Sequence, residues 1–240
     1  MGMAFISLSS GSKIYGTAGE ARPVVGIHPV TRRGFQPKPL AQRALKRLMD
    51  IVLSAGALIV LSPVLLALWV VIRLESPGPA IFVQKRWGRN QRPIDVYKFR
   101  TMRIDQGDAS GVTQTVANDP RITRVGTFLR KSNLDELPQL FNVLQGTMSL
   151  VGPRCHPIGM LAGGVQYEAL VPQYHDRHLV RPGLTGIAQV NGLRGPTVDA
   201  DLAVQRIEAD LYYVEHYSVW LDIKLILKTI WIEFRGGTGS

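Results

Sequence analysis

From Ile51 to Ile72 the chain carries no charge and almost no polarity (IVLSAGALIVLSPVLLALWVVI), with Ser62-Pro63 near the middle of the run. As a helix this stretch reaches about 33 Å at ~1.5 Å per residue, enough to cross the hydrocarbon core of a bilayer. Pro63 cannot donate to the Ile59 carbonyl, and its ring crowds that turn. The Ser62 hydroxyl is placed to take up the freed carbonyl, which makes a bend tolerable in lipid. Two topologies follow: a single span with an incidental proline, or a helix that bends at Ser62-Pro63 and returns to the side it entered.

Beyond this run the pattern changes period. AIFVQKR and PIDVYKFRTM have strand composition and are separated by Trp87 to Arg92, which predicts a hairpin. Thr123 to Lys131 and Leu137 to Leu144 predict short helices, the second closed by Gly146. Pro182 to Gly195 is punctuated by glycine and reads as extended or looped. Asp199 to His216 and Tyr217 to Phe234 predict two amphipathic helices. The last combines Trp220 and Trp231 with Lys224, Lys228 and Arg235, a pattern shared by interfacial helices and by core helices of a soluble domain.

Charge sharpens the topology. The 240 residues carry a net charge of +10, which favours anionic lipid, phosphorylated substrates or nucleic acid as partners. Arg43, Lys46 and Arg47 precede the apolar run, and Arg73, Lys85, Arg86 and Arg89 follow it. Basic flanks stay in the cytoplasm, so a single span would strand one of them outside. Residues 1–40 are poor in large apolar side chains and read as a disordered basic tail. One cysteine, Cys155, excludes an internal disulfide and fits a reducing compartment. The apolar run begins too far in for an ordinary signal peptide.

The sharpest chemical candidate is Ser132-Asn133-Leu134-Asp135-Glu136-Leu137-Pro138-Gln139-Leu140. Pro138 belongs to a first helical turn, where a missing N–H costs least, and this puts Asp135 at or beside the N-cap. Helix capping accounts for an Asp and a Glu there. A site accounts for them too. A helix N-terminus attracts phosphate; an ionised Asp there could attack phosphorus, or share Mg²⁺ with a diphosphate. Phosphoryl transfer needs surrounding cations, and the candidates are Lys98, Arg100, Arg130, Arg154 and Arg181. No Walker A loop, dinucleotide fingerprint or zinc spacing occurs, and His156, His175 and His178 read as non-ligands.

Taken in order, KRLMDIVLS…LSP, FVQKRWG, YKFRTM, FLRKSNLDELPQLFNVLQGTMSLVGPR, RPGLTGIAQVNG and DLYYVEHYSVWLDIKLI closely resemble the bacterial sugar transferases, the monotopic phosphoglycosyl transferases. The likeness runs from about Arg43 to about Trp231 and is to the small form. It implies transfer of a sugar-1-phosphate from a UDP-sugar to polyprenyl phosphate (undecaprenyl phosphate in bacteria), with release of UMP, initiating exopolysaccharide or glycoconjugate synthesis. It further implies Mg²⁺ and a phosphosugar carried covalently on Asp135, which also contacts the metal, with Glu136 assisting. Phosphate contacts would fall on Arg130 and Arg154, then on Lys98, Arg100 and Arg181, and Gln189 and Asn191 would shape the nucleotide-sugar pocket. The chain departs from the family pattern where Cys155-His156 follows Gly152-Pro153-Arg154, and at Ile187, where Trp is common.

The expected fold is α+β and mostly helical. It comprises a re-entrant membrane helix over residues 41–75, broken at Ser62-Pro63, a small β-hairpin, and a cytosolic helical catalytic domain over 76–235 with interfacial amphipathic helices. The expected place is the cytoplasmic face of the bacterial inner membrane, with membrane lipid as neighbour, no nucleic acid partner, and a homodimer conceivable. The competing expectation is a non-catalytic membrane-anchored basic module that binds anionic lipid or nucleic acid.

Overall fold

The computed structural model describes residues 35–104, 119–193, 195 and 199–235; most of the expected basic tail, residues 1–34, lies outside them. Helix α1, Leu40–Glu75, is the longest element. It runs unbroken through Pro63, so Ser62-Pro63 does not interrupt the helix. The Ser62 hydroxyl donates to the Ile59 carbonyl at 2.8 Å, taking the acceptor that Pro63 leaves free. The helix has an apolar window of mean hydropathy 2.6, of which only 6% is covered by the rest of the chain. A soluble core helix would be mostly covered; this one leaves Ile59, Val60 and Leu66 outward.

Both ends of α1 are nevertheless held by the same body. Near its start, Lys46 donates to Asp222 at 2.6 Å and to the Val151 carbonyl at 3.1 Å. Arg47 donates to the Val143 and Leu144 carbonyls. Asp50, fully buried, accepts from the Ser149 hydroxyl and the Leu150 amide. Near its end, Ile72 packs with Ala80, Phe99 and Leu129, with Leu65 and Leu68 alongside. Arg100 donates there to the carbonyls of Ile72, Ser76 and Pro77, satisfying acceptors that a helix C-terminus leaves open.

The expected hairpin forms from β1, Ile81–Trp87, and antiparallel β2, Pro93–Phe99, in the register Ile81 to Phe99 and Trp87 to Pro93. Helix α2, Arg124–Lys131, starts at Thr123, whose hydroxyl accepts from the Gly126 amide. Helix α3, Gln139–Gln145, follows a 3-10 turn over Leu134–Glu136 and ends on Gly146 in left-handed backbone, φ 82°. Pro138 thus occupies the N-cap of α3, and Asp135 lies in the turn before it. Strand β3, Ser149–Val151, comes next. The small ribbon β4, Leu161–Ala162, and β5, Val165–Gln166, leads into the single turn α4, Tyr167–Leu170.

The glycine-punctuated stretch that reads as extended or looped contains strand β6, Gly183–Thr185, parallel to β3, and the short helix α5, Ile187–Val190. Here the Gly152-Pro153-Arg154 and Arg181-Pro182-Gly183 segments cross backbone to backbone. A Cβ on Gly183 would stand 2.0 Å from the Gly152 amide nitrogen, so no larger residue fits without moving the crossing. The last two helices, α6, Ala200–His216, and α7, Val219–Phe234, are capped by the side chains of Asp199 and Ser218. Their inner faces pack with Val151, Ile187, Tyr213 and Leu225. Helix α7 also shows Trp220, Leu227, Trp231 and Phe234 to the outside, so it serves both as core helix and as apolar surface. The described end of the tail lies against this body: Lys38 donates to the Glu215 carbonyl and sits over the Tyr217 ring.

The Lys46–Asp222 pair is the most exposed to test. Its side chains are 14% and 0% accessible. Removing one partner of a buried pair costs about 3–5 kcal/mol, whereas replacing both with apolar residues is close to neutral. Asp222→Ala should lower the thermal midpoint of the detergent-purified chain by roughly 6–12 °C or more, and the pair Lys46→Met with Asp222→Leu should recover most of the loss. A single variant melting with the wild type would show that the pair does not hold α1 in place.

Candidate active site

The site grows from the 3-10 turn between α2 and α3. Asn133 enters it in left-handed backbone, φ 54°, a conformation Asn tolerates better than most residues. Its amide donates to Glu233 of α7 at 3.0 and 3.2 Å. Asp135 and Glu136 follow, presented toward β2. On α3, Asn142 fixes the spacing between these elements. Its side chain donates to the Asp95 carbonyl at 2.6 Å and accepts from the Tyr97 amide at 3.0 Å, gripping β2 just before Lys98.

Glu136 is the hub. Lys98 donates to its Oε1 at 2.8 Å; Arg154 donates to its Oε2 at 3.0 Å and also to Oε1. Lys98 stands 3.8 Å from Asp135. Burial is the largest single influence on Glu136 and pushes its pKa up, but the charges and hydrogen bonds of Arg154 and Lys98 outweigh it and hold the carboxyl well below its usual range. Asp135 goes the other way. Burial raises it, Lys98 draws it back, and the adjacent Glu136 charge raises it further; Arg130 and Arg154 act from farther off. The two neighbouring carboxyls are therefore shifted in opposite directions, Glu136 down and Asp135 up.

Arg154 is itself positioned from behind. Its carbonyl accepts from Arg177, whose guanidinium pairs with Asp210 of α6 in full burial. The departures after Arg154 point into packing. Cys155 lies among Val96, Val143 and Met148. His156 is buried against the Tyr167 and Tyr174 rings, and burial with nearby arginines holds it well below its usual pKa, hence neutral. Ile187 packs on Val151.

Of the residues singled out in the sequence, the structure brings together Lys98, Asp135, Glu136 and Arg154, with Arg130 near enough to act on Asp135. Arg100 is spent on the C-terminus of α1 and is separate from this group. Arg181 faces a different neighbourhood, that of Arg43, Arg47 and Arg89. Gln189 is buried in α5, close under Gly186, while exposed Asn191 accepts from Lys228 of α7 at 3.1 Å. Capping does not explain Asp135: the α3 N-cap carries no side-chain cap bond. Sequence reasoning missed Asn142, Arg177, Asp210 and the Lys46–Asp50–Asp222 clamp. The available signals were a polar residue on the apolar face of α3 and acids inside otherwise apolar helices.

The chain matches the family model described as bacterial sugar transferase over residues 41–236. It is 58% identical over 195 residues to the exopolysaccharide production protein PSS of Rhizobium leguminosarum bv. phaseoli, covering 81% of this chain and 98% of that protein. It is 46% identical over 212 residues to the UDP-glucose:undecaprenyl-phosphate glucose-1-phosphate transferase of Escherichia coli (strain K12), covering 88% of this chain and 44% of that one. It is 44% identical over 204 residues to the UDP-N-acetylgalactosamine-undecaprenyl-phosphate N-acetylgalactosaminephosphotransferase of Aeromonas hydrophila, covering 85% and 47%. The chain thus spans nearly all of the first relative and under half of the other two. With its Asp135-Glu136 pair and attendant cations inside the matched region, the chain belongs to the bacterial sugar transferase family.

Proposed function

We propose that this protein transfers a sugar-1-phosphate from a UDP-sugar to undecaprenyl phosphate, releasing UMP, and so starts exopolysaccharide or glycoconjugate assembly. The observation that carries the reading is Asp135, a carboxylate beside Lys98, Arg154 and Arg130 but committed to none of them by a hydrogen bond among the described residues. In the first half-reaction an Asp135 oxygen bonds to the sugar-bearing phosphorus as the P–O bond to UMP breaks, and UMP leaves with the electron pair. In the second, an oxygen of undecaprenyl phosphate attacks that phosphorus, and the bond to Asp135 breaks to restore the carboxylate. Lys98 and Arg154, beside the Asp135-Glu136 pair, would offset the charge that spreads over the transferring phosphoryl oxygens. Glu136, ionised and held on both oxygens, is a weak base; it serves to aim Lys98 and Arg154 rather than to collect a proton.

The donor set suits Mg²⁺, which prefers one or two carboxylates plus phosphate oxygens. Asp135 would hold the ion, since both Glu136 oxygens are already taken. The ion would neutralise charge on the diphosphate. Gln189 and Asn191 are retained as candidates for the nucleotide-sugar side.

For topology, the two docked ends of α1 support a re-entrant helix at the cytoplasmic face of the inner membrane. A helix crossing ~30 Å of hydrocarbon could not return both Lys46 and Ile72 to one body. The bend would fall at Ser62-Pro63, where the Ile59 carbonyl is already re-satisfied.

Asp135→Asn should reduce UMP release from UDP-glucose or UDP-N-acetylgalactosamine with undecaprenyl phosphate by about a thousandfold or more; retained turnover would end the covalent reading. The same variant should gain stability. The folded pKa of Asp135 lies above its ordinary 3.8, so ionisation weakens the fold as pH rises through the folded value, and Asn removes that penalty. Glu136 has the opposite sign. Its folded pKa is depressed below 4.5, so it adds stability above that value, which disappears as pH falls through the folded pKa. Thermal midpoints at pH 8 should therefore order as Asp135→Asn above wild type above Glu136→Gln. The reverse order would refute the split between the two carboxyls.

A further inference from the structure

A cavity of about 240 Å³ opens where the first turns of α1 meet Leu179 to Arg181 and the turn between β1 and β2. Arg43, Arg47, Arg89 and Arg181 face it, and apolar groups such as Leu40 and Val180 form the wall between them. Four guanidinia around one small cavity leave a strong positive field. Burial, then Arg47, Arg89 and Arg43, push the Arg181 pKa down. Asp50 is the acid that bears on Arg181, and it is already bonded to Ser149 and Leu150. Arg47 is committed to two carbonyls of α3. Among the described residues, no carboxylate pairs with Arg43, Arg89 or Arg181, and the buried Nε of Arg89 has no hydrogen-bond partner.

This cavity is distinct from the proposed catalytic group: none of Lys98, Arg130, Asp135, Glu136 and Arg154 lines it. Guanidinium forks match phosphate oxygens in geometry and charge. The volume falls below the roughly 300–1,000 Å³ of pockets for drug-sized ligands, so a single phosphate head fits better than a nucleotide sugar. Its position selects the source. The adjoining turns of α1 turn Leu45, Leu48 and Val52 outward, so hydrocarbon would begin beside the arginines. A lipid headgroup meets the protein in that way, phosphate against cations and chains against the apolar stem.

We propose that this cavity binds the phosphodiester headgroup of an anionic phospholipid, at a site separate from that of the reacting phosphates. The inference rests on the membrane placement of α1. The full-length protein in detergent, given equimolar phosphatidylglycerol and phosphatidylcholine, should retain phosphatidylglycerol in preference by at least about fivefold in native mass spectrometry. Arg89→Gln with Arg181→Gln should bring that ratio close to one. Arg43→Gln, on an exposed position of α1, should lower it without disturbing the fold. An unchanged ratio in both variants would overturn the site. Displacement of phosphatidylglycerol by millimolar inorganic phosphate would overturn the lipid assignment in favour of a soluble anion. Flotation with pure phosphatidylcholine vesicles separates the two layers of the argument: failure of the wild type to float removes the membrane placement itself, whereas flotation without headgroup preference removes only the cavity's role.

Discussion

A long, largely uncovered apolar helix is tied to the rest of the fold by buried polar groups at both of its ends, and this tether constrains the rest of the molecule. Lys46, Arg47 and Asp50 reach β3, α3 and α7 from the first turns of α1, while Arg100 closes its last turn from the far end of β2. Each of these groups would be costly to bury unpaired. Together they set how the helix meets the body far more strictly than apolar contact, which is non-directional. The elements they grip are those that carry the candidate site: α3 follows the Asp135-Glu136 turn, β3 leads into Arg154, and β2 bears Lys98. The apolar helix and the candidate site therefore share one scaffold.

Within that scaffold, placement is achieved by residues that do not themselves face a substrate. Asn142 locks α3 to β2, Asn133 locks the turn to α7, and the buried Arg177–Asp210 pair supports the Arg154 backbone. The consequence is electrostatic. Glu136, satisfied on both oxygens, absorbs the attraction of Lys98 and Arg154 and keeps them in place. Asp135 is left with cations nearby and, among the described residues, no hydrogen bond holding it. The proposed role as nucleophile would use that combination, since its lone pairs are not spent on a partner.

The elements were legible in the sequence where local chemistry dictates them. Strand β1 and helices α2, α6 and α7 fall within two residues of the expected bounds, and β2 ends three residues before the expected Met102. The Asp135-Glu136 pair and the cations Lys98, Arg130 and Arg154 were legible as well, through motif order. Tertiary placement was not. Arg100, in a stretch read as strand, and Arg154, beside Pro153, were equal candidates for phosphate contact, yet one caps α1 and the other reaches Glu136. The parallel pairing of β3 with β6 is equally invisible locally, because it joins three-residue strands more than thirty positions apart. The glycine punctuation from 182 to 195 reads as an extended or looped stretch and carries no sign that Gly183 meets Gly152.

That glycine crossing connects the two halves of the molecule. Just past β3, Arg154 follows Gly152 by two residues and turns toward Glu136; just before β6, Arg181 precedes Gly183 by two and faces Arg43, Arg47 and Arg89. The strands touch through backbone alone, with the Gly152 amide bonded to Thr185 and the Gly183 amide to Pro153. Backbone packed this closely has little room to deform, since a shift of one strand meets main-chain atoms of the other. Whatever anion engages Arg181 therefore acts on the same rigid junction that carries Arg154. On the proposed reading, in which a water-soluble donor meets a lipid-borne acceptor, a junction of this kind would hold Arg154 at a fixed place relative to α1.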